Sequence, residues 1–413
     1  MKILLTTECY SPVINGVVTS VMTLEKELRE LGHEVKILTL STTKRSYKEG
    51  HVTYICSLGA GKLYPGARFA WRTNMEYLDE LVDWQPDIIH SHCEFSTFLM
   101  ARQMARKLRI PIVHTYHTVY EDYTHYFSPN KKWGRAMVAI FTRKVLKNTH
   151  CVISPTNKVR SILLEYGVTR PIQVVPTGIH LGRITRPIND QEKQTLRMRI
   201  GIPNHHKVLL AVGRLAKEKN LEEILFYLSK TEQKDVTLLI VGDGPNRESL
   251  EEYAKALGIR NHVIFVGMIS PTEISAYYQL GDVFVSASNS ETQGLTYVEA
   301  LANGVPALCR KDSCLDDVIT DGVNGWQYST FEEFDEKLQA MLSQEEVLRR
   351  LSIHARAKAM CDYSSDSFAM KVEQIYQQEI ANYRRTILKS RGGDLHRVDE
   401  GRYLRKNEGK RRS

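Results

Sequence analysis

No Cys-x-x-Cys pair occurs among the seven cysteines, and their number is odd. Both facts argue against a disulfide framework and against a zinc site, and they fit a reducing cytosol. No uninterrupted apolar stretch approaches the roughly 20 residues that a membrane-spanning helix needs. Residues 1–8 hold an apolar run far shorter than the core of a secretory leader. Neither an aromatic RNA-binding strand nor zinc-finger spacing is present, so nucleic acid is set aside as a partner. No Asp-x-Asp stands at the end of an apolar strand to chelate a metal. Short repeats and low-complexity tracts are also missing.

What is present is length and alternation. At 413 residues the chain exceeds one ordinary core, so two domains of similar size are expected. Short apolar runs at 2–6, 35–40, 88–90, 112–114, 151–153 and 172–175 alternate with helical stretches over residues 1–180. A second series at 208–212, 238–241, 263–266, 283–285 and 306–308 does the same over residues 206–365. Strands that are apolar throughout and separated by helices imply parallel sheets covered on both faces: an α/β chain of two Rossmann-like domains with a cleft between them. Residues 181–205 are polar and contain Pro187 and Pro203, which reads as the interdomain linker. Residues 366–388 read as a long helix, and residues 389–413, with Gly392-Gly393 and mixed charge, as a basic disordered tail.

The net charge of +8 is concentrated. Residues 101–150 carry ten Lys and Arg against only Glu121 and Asp122, and residues 384–413 carry eleven against Asp394, Asp399, Glu400 and Glu408, so the rest of the chain is net acidic. Local basic regions on an acidic body point to a polyanionic surface, and anionic lipid fits where nucleic-acid signatures are lacking.

The chemistry gathers around residues 289–300. A buried strand runs into a polar loop containing Glu291, then into a helix expected from Leu295 to Ala302 and stopped by Asn303-Gly304. The free N–H groups of Gly294, Leu295 and Thr296, at the positive end of the helix dipole, suit a phosphate. Glu291 ahead of the helix and Glu299 inside it can both address one ligand held there. Upstream, a strand ending at Gly213 delivers Arg214 and Lys219 into a loop as cationic partners for a diphosphate. Gly16, at the start of the first helix, lets a phosphate approach the backbone closely. Carboxylates flanking a diphosphate cradle describe a site for a nucleotide sugar.

With Gly242-Asp243-Gly244-Pro245 in its place between these elements, the chain resembles the retaining GT-B glycosyltransferases of family four over roughly residues 1–380. The resemblance implies that Arg214 and Lys219 neutralise the diphosphate, that Glu291 holds the donor sugar and that Glu299 holds the ribose hydroxyls. It implies a nucleotide-lining role for Gly242 and Gly244, a base site near Met268, and a contact of His117 with the donor sugar near the reacting carbon. It also implies a last helix that crosses back onto the N-terminal domain, transfer with retention, and no cofactor or essential metal. A catalytically silent sugar-nucleotide or lipid binder is the alternative.

The N-terminal domain carries the acceptor signal. Over residues 131–147, Trp133, Met137, Ile140, Phe141 and Val145 recur at helical spacing, with Lys131, Lys132, Arg135 and Arg143 on the opposite side and Lys144 within the apolar arc. The loop just ahead is rich in aromatics, including Tyr120 and Tyr123, which suit a half-wet interface. Residues 114–126 and 11–20 resemble the diacylglycerol glucosyltransferases of Gram-positive and wall-less bacteria. That resemblance implies a UDP-sugar donor, diacylglycerol and anionic membrane lipids as partners, and a cytoplasmic enzyme peripheral to the inner face of the cell membrane. A second sugar on a monoglycosyl-diacylglycerol, or a soluble or polyprenyl-linked glycan, are the alternative products.

Overall fold

A computed structural model describes the backbone of residues 1–13, 15–59, 68–70, 75–120, 131–288 and 291–408, and side chains over the same ranges apart from residues 75, 131, 183 and 389–408. Two parallel sheets dominate it. The first has the strand order Ile172–Val174, Cys151–Ser154, Ile112–Thr115, Ile88–Ser91, Lys2–Thr6, Glu34–Leu40, Val52–Ile55 and Tyr47–Glu49, with only the last strand antiparallel. The second is parallel throughout, in the order Val263–Gly267, Val236–Val241, Lys207–Val212, Val283–Ser286, Ala307–Arg310 and Gly325–Tyr328.

Period-two alternation divides each sheet between two cores. Ile3 and Leu5 pack on one face of the first sheet, while Leu4 enters the core on the other. Leu209 and Ala211 do the same in the second sheet, opposite Val208 and Leu210. The chain is thus α/β with two Rossmann-like domains, as the alternation requires. The hairpin at 47–55 and the strand Gly325–Tyr328 are additions that sequence pattern missed. The rings of Tyr47 and Tyr54 stack across the hairpin 4.5 Å apart, and Val52, Tyr54 and Ile55 are buried in the cores of the first sheet.

The last helix, Ser365–Glu408, returns to the first domain. Phe368, Val372, Ile375 and Tyr376 pack against Ile3, Val21, Leu24 and Leu28, and Ser365 Oγ donates to Glu27 Oε1 at 2.7 Å. Its backbone stays helical to Glu408, beyond the limit at residue 388 and through the stretch expected to be disordered. No proline follows Ser365 to stop it, and Gly392, Gly393 and Gly401 cost only about 1 kcal/mol each. The chain crosses between domains twice, at 176–180 and 363–365, and the crossings bond to each other: Ile179 N to Tyr363 O at 2.8 Å and Ser365 N to Ile179 O at 3.1 Å. A Cβ on Gly178 would lie 2.5 Å from Ser364 O, so only glycine lets them pass.

Residues 181–205 are not a free linker. They form the helices Leu181–Ile184 and Asp190–Ile200, and Leu196 and Ile202 enter the second domain's core. Asn189 and Glu192 close a reciprocal capping box at the start of the longer helix. Among the described residues no helix is long and apolar enough to cross a membrane, and the cysteines are free.

Candidate active site

The C-terminal edges of both sheets carry the loops in question, and each edge opens into a helix. On one side Asn15 caps the helix Gly16–Glu30 by accepting from Val18 N at 2.9 Å. On the other, the helix Leu295–Ala302 starts at Gly294 with no side-chain cap, which leaves its first N–H groups to a ligand. The two starts face each other: a Cβ on Gly16 would lie 3.9 Å from Leu295 Cδ1.

Gly294 has φ +72°, and a Cβ there would sit 2.6 Å from the ring of Tyr297. That ring cannot retreat, because it is buried against Phe284 and its hydroxyl donates to Ser286 Oγ at 2.7 Å. Gly294→Ala should therefore destabilise the second domain by about 2–4 kcal/mol, from left-handed backbone strain plus overpacking. Thermal unfolding checks this; an unchanged melting temperature would contradict the geometry.

Arg214, Lys219, Ser286, Glu291 and Thr296 line one cavity beside this helix start. Arg214 is exposed at its rim. Lys219 donates to Glu291 in an ion pair. Burial is the largest influence on the Glu291 carboxyl and pushes it up. The charge and hydrogen bond of Lys219, with help from Ser288 and Lys158, outweigh burial and hold it below its usual value. Burial likewise pulls Lys219 down, and Glu291 more than reverses it. The site thus presents a carboxylate that stays ionised and a cation that stays charged.

Glu299 differs. Its Oε2 accepts from the Tyr278 hydroxyl at 2.6 Å, and burial pushes its carboxyl up to about 7, only partly offset by that bond. Gly242 and Gly244 have a packing role: a Cβ on either would lie 1.9 Å from Gly213 O or 2.3 Å from Leu215 O. They let the loop after Val236–Val241 lie against the loop that carries Arg214. Met268 is 67% exposed just past the strand Val263–Gly267.

On the N-terminal side, His117 Nε2 and His92 Nδ1 share a hydrogen bond of 2.9 Å. Burial, with His114 adding to it, pushes His117 down to about 3, so the ring is neutral. His90 is held by Tyr376 at 2.6 Å and Thr115 at 2.7 Å, and burial keeps it and His92 neutral as well. The Glu94 carboxylate takes His114 Nε2 at 3.1 Å and the Tyr120 hydroxyl.

The helix Lys131–Leu146 corrects the single apolar face expected of it. Val138, Val145 and Leu146 pack under the sheet with Phe141 at the margin, whereas Trp133, Met137 and Ile140 are exposed. Lys132, Arg135, Arg143 and Lys144 are exposed beside them, with Arg135 paired to Glu165 at 2.5 Å. The reason is that two apolar stripes alternate on this helix and the sheet covers only one. Tyr123 and the Lys131 side chain lie outside the described residues.

Sequence reasoning missed the pins between the domains. Lys158 Nζ reaches both oxygens of Asp312 at 2.8 Å and the Glu291 carbonyl at 3.3 Å. Gln293 exchanges two hydrogen bonds with the Thr177 backbone, at 2.7 and 2.8 Å. Among the described residues one group, His205, His206 and Asp235, has donor atoms close enough to hold a metal. It lies at the opposite end of the second sheet from this cavity, beside the starts of Lys207–Val212 and Val236–Val241.

Residues 14–183 match the family model described as Glycosyltransferase Family 4, and residues 192–358 the one described as Glycosyl transferases group 1. The alpha-monoglucosyldiacylglycerol synthase of Streptococcus pneumoniae is 36% identical over 94% of this chain and 89% of its own. The protein of that name from Acholeplasma laidlawii is 32% identical over 91% and 96%. Among solved structures, Anabaena HepE in complex with UDP and glucose superposes with a TM-score of 0.72 at 16% identity, covering 92% of this chain and all of that one. Sucrose-phosphate synthase from Thermosynechococcus elongatus gives 0.72 at 20% identity, over 92% and 99%. At such identity these two speak for the GT-B fold alone.

Proposed function

We propose, starting from the fact that the chain belongs to glycosyltransferase family 4, that this hexosyltransferase moves glucose from UDP-glucose to the free hydroxyl of diacylglycerol at a membrane surface. The observation that carries the reading is the ion-paired Lys219 and Glu291 beside an uncapped helix start that faces Gly16. The acceptor is supported by relatives that bear a glycolipid synthase's name over almost their whole length. It is also supported by the exposed row Trp133, Met137 and Ile140 flanked by basic side chains.

The chemistry follows from charge. The bond between sugar C1 and the diphosphate oxygen breaks with its electron pair on the diphosphate. Arg214, Lys219 and the N–H groups at Leu295 and Thr296 lie where that charge grows. The lipid oxygen bonds to C1 on the same face, and its proton leaves on the departing diphosphate. Glu291, kept ionised, accepts from sugar hydroxyls. Neutral His117 offers a hydrogen bond but no charge near the reacting carbon. No residue forms a covalent intermediate, and no metal is assigned.

UDP-glucose supplied to mixed diacylglycerol and anionic vesicles should yield monoglucosyldiacylglycerol and UDP. Transfer only to a soluble or polyprenyl-linked sugar would overturn the acceptor, and absence of UDP release with every acceptor would overturn the enzyme reading.

Glu299 adds a pH signature. Its carboxyl sits near 7 in the free protein, and ribose hydroxyl donors favour the charged form. UDP binding should therefore release protons between about pH 5 and 7, and affinity should rise with pH across that window. Calorimetry in buffers of different ionisation enthalpy checks the sign; proton uptake would remove Glu299 from the ribose.

A further inference from the structure

Glu8 follows the first strand, Lys2–Thr6, in the row of loops that also carries His92, Glu94 and His117. Its two oxygens differ. Oε1 accepts from Thr97 N at 2.8 Å, Thr97 Oγ1 at 3.3 Å and Cys93 Sγ at 3.6 Å, which anchors it at the start of the helix Ser96–Leu108. Oε2 is buried and finds no hydrogen-bond partner among the described residues. Helix capping needs only one oxygen, so the other is left for something else. The neighbouring acid, Glu94, has no such vacancy, since His114 and Tyr120 occupy one oxygen each.

We propose that Oε2 of Glu8 accepts the hydrogen bond of the acceptor's reacting hydroxyl and thereby aims its oxygen into the cleft. The inference rests on the lipid-transfer reading above. Phe95, two residues before Thr97, is 44% exposed. It stacks on Phe141 of the basic helix at 5.6 Å and meets Tyr120 edge-on at 5.9 Å. A hydroxyl at Glu8 thus has an aromatic wall leading from it toward the exposed apolar row, as a glycerol with acyl chains requires. Burial pushes the Glu8 carboxyl up to about 7 against the bonds from Thr97 and Cys93. A hydroxyl donor on Oε2 restores the charged form. The proton itself still leaves with the diphosphate, so Glu8 is an anchor rather than a base.

The test is Glu8→Gln. Its amide oxygen can keep the Thr97 N–H, while its NH2 replaces Oε2 with a donor. Folding, UDP affinity and slow hydrolysis of UDP-glucose by water should be unchanged. Transfer to diacylglycerol should fall by about 10- to 100-fold, with the loss concentrated in the acceptor's KM. Thr97→Val, which removes the hydroxyl's bonds to Glu8 Oε1 and Cys93 Sγ but leaves Oε2 untouched, should leave transfer within about threefold of the parent. Equal losses of hydrolysis and transfer in Glu8→Gln, or transfer within threefold of the parent, would overturn the proposal. If Gln impairs folding, Glu8→Asp keeps the charge, withdraws the oxygen by one methylene, and is read by the same ratio of transfer to hydrolysis. Should the parent prefer a soluble acceptor, the lipid reading fails separately, and the ratio with that acceptor still decides the role of Glu8.

Discussion

Lys219→Ala should lower kcat/KM for glucosyl transfer by about 10²–10³-fold, the range found when one preorganised donor to a developing anion is lost. Two losses combine. The diphosphate loses a cation, and Glu291 loses the partner that outweighs its burial. In the parent, burial raises the Glu291 carboxyl and Lys219 more than reverses it, so the group is ionised across the neutral range. Without Lys219 the burial effect is left in charge and the carboxyl rises above its usual value. Residual kcat at saturating substrate should therefore climb with pH as Glu291 ionises, a limb separate from the one that Glu299 gives the parent's UDP affinity. The double variant Lys219→Ala/Glu291→Ala should cost much less than the two single losses combined, because each single variant strands the other's charge. Steady-state kinetics from pH 5 to 9 on all three proteins, with a thermal melt for each, measures every part. Turnover within about fivefold of the parent would remove Lys219 from the diphosphate site.

This pair was legible in the sequence because each member sits in a local pattern. Lys219 follows a strand that stops at Gly213, and Glu291 precedes a helix bounded by Gly294 and Asn303. The strands were legible for a similar reason: both faces of a parallel sheet are covered, so Ile88–Ser91 or Cys151–Ser154 is buried at every residue. What stayed hidden depends on distant segments meeting. Lys158 and Asp312 lie 154 positions apart, and Gln293 and Thr177 lie 116 apart. Nothing around a lysine after Thr156-Asn157 marks it as the clip that holds the Glu291 loop. His92 is a similar case, since its partnership with His117 exists only because adjacent strands end level. The misread linker did carry a signal. Asn189 and Glu192, three apart, are a capping box, and Gly201 ends the helix in the left-handed region, but a helix burying only Leu196 shows no apolar period to notice.

The exposed row on Lys131–Leu146 should govern membrane binding more than the basic residues around it. Trp133, Met137 and Ile140 are 70%, 55% and 57% exposed, and their spacing puts them on one stripe. Through the Phe95–Phe141 stack the stripe continues onto the neighbouring helix, where Leu99 is 57% exposed. Burying each apolar side chain in the interface contributes about 1–2 kcal/mol, below the value for full burial because part of each is already covered. Trp133→Ala/Met137→Ala/Ile140→Ala should therefore weaken partitioning onto vesicles by about 10²–10⁴-fold whatever their charge. Each basic side chain near an anionic leaflet contributes about 1 kcal/mol, and salt screens it. Lys132→Glu/Arg143→Glu/Lys144→Glu should thus lose binding to anionic vesicles, by an amount that shrinks at high salt, and keep binding to neutral ones. Arg135 is better left in place, because reversing it would set a second carboxylate beside Glu165. Neither triple variant touches a core residue, so hydrolysis of UDP-glucose in solution should stay at the parent's rate while transfer to diacylglycerol falls with vesicle binding. Sedimentation with vesicles of both kinds, read beside the two activities, separates the contributions. If the apolar variant binds vesicles as the parent does, the lipid reaches Glu8 and His117 by some other face.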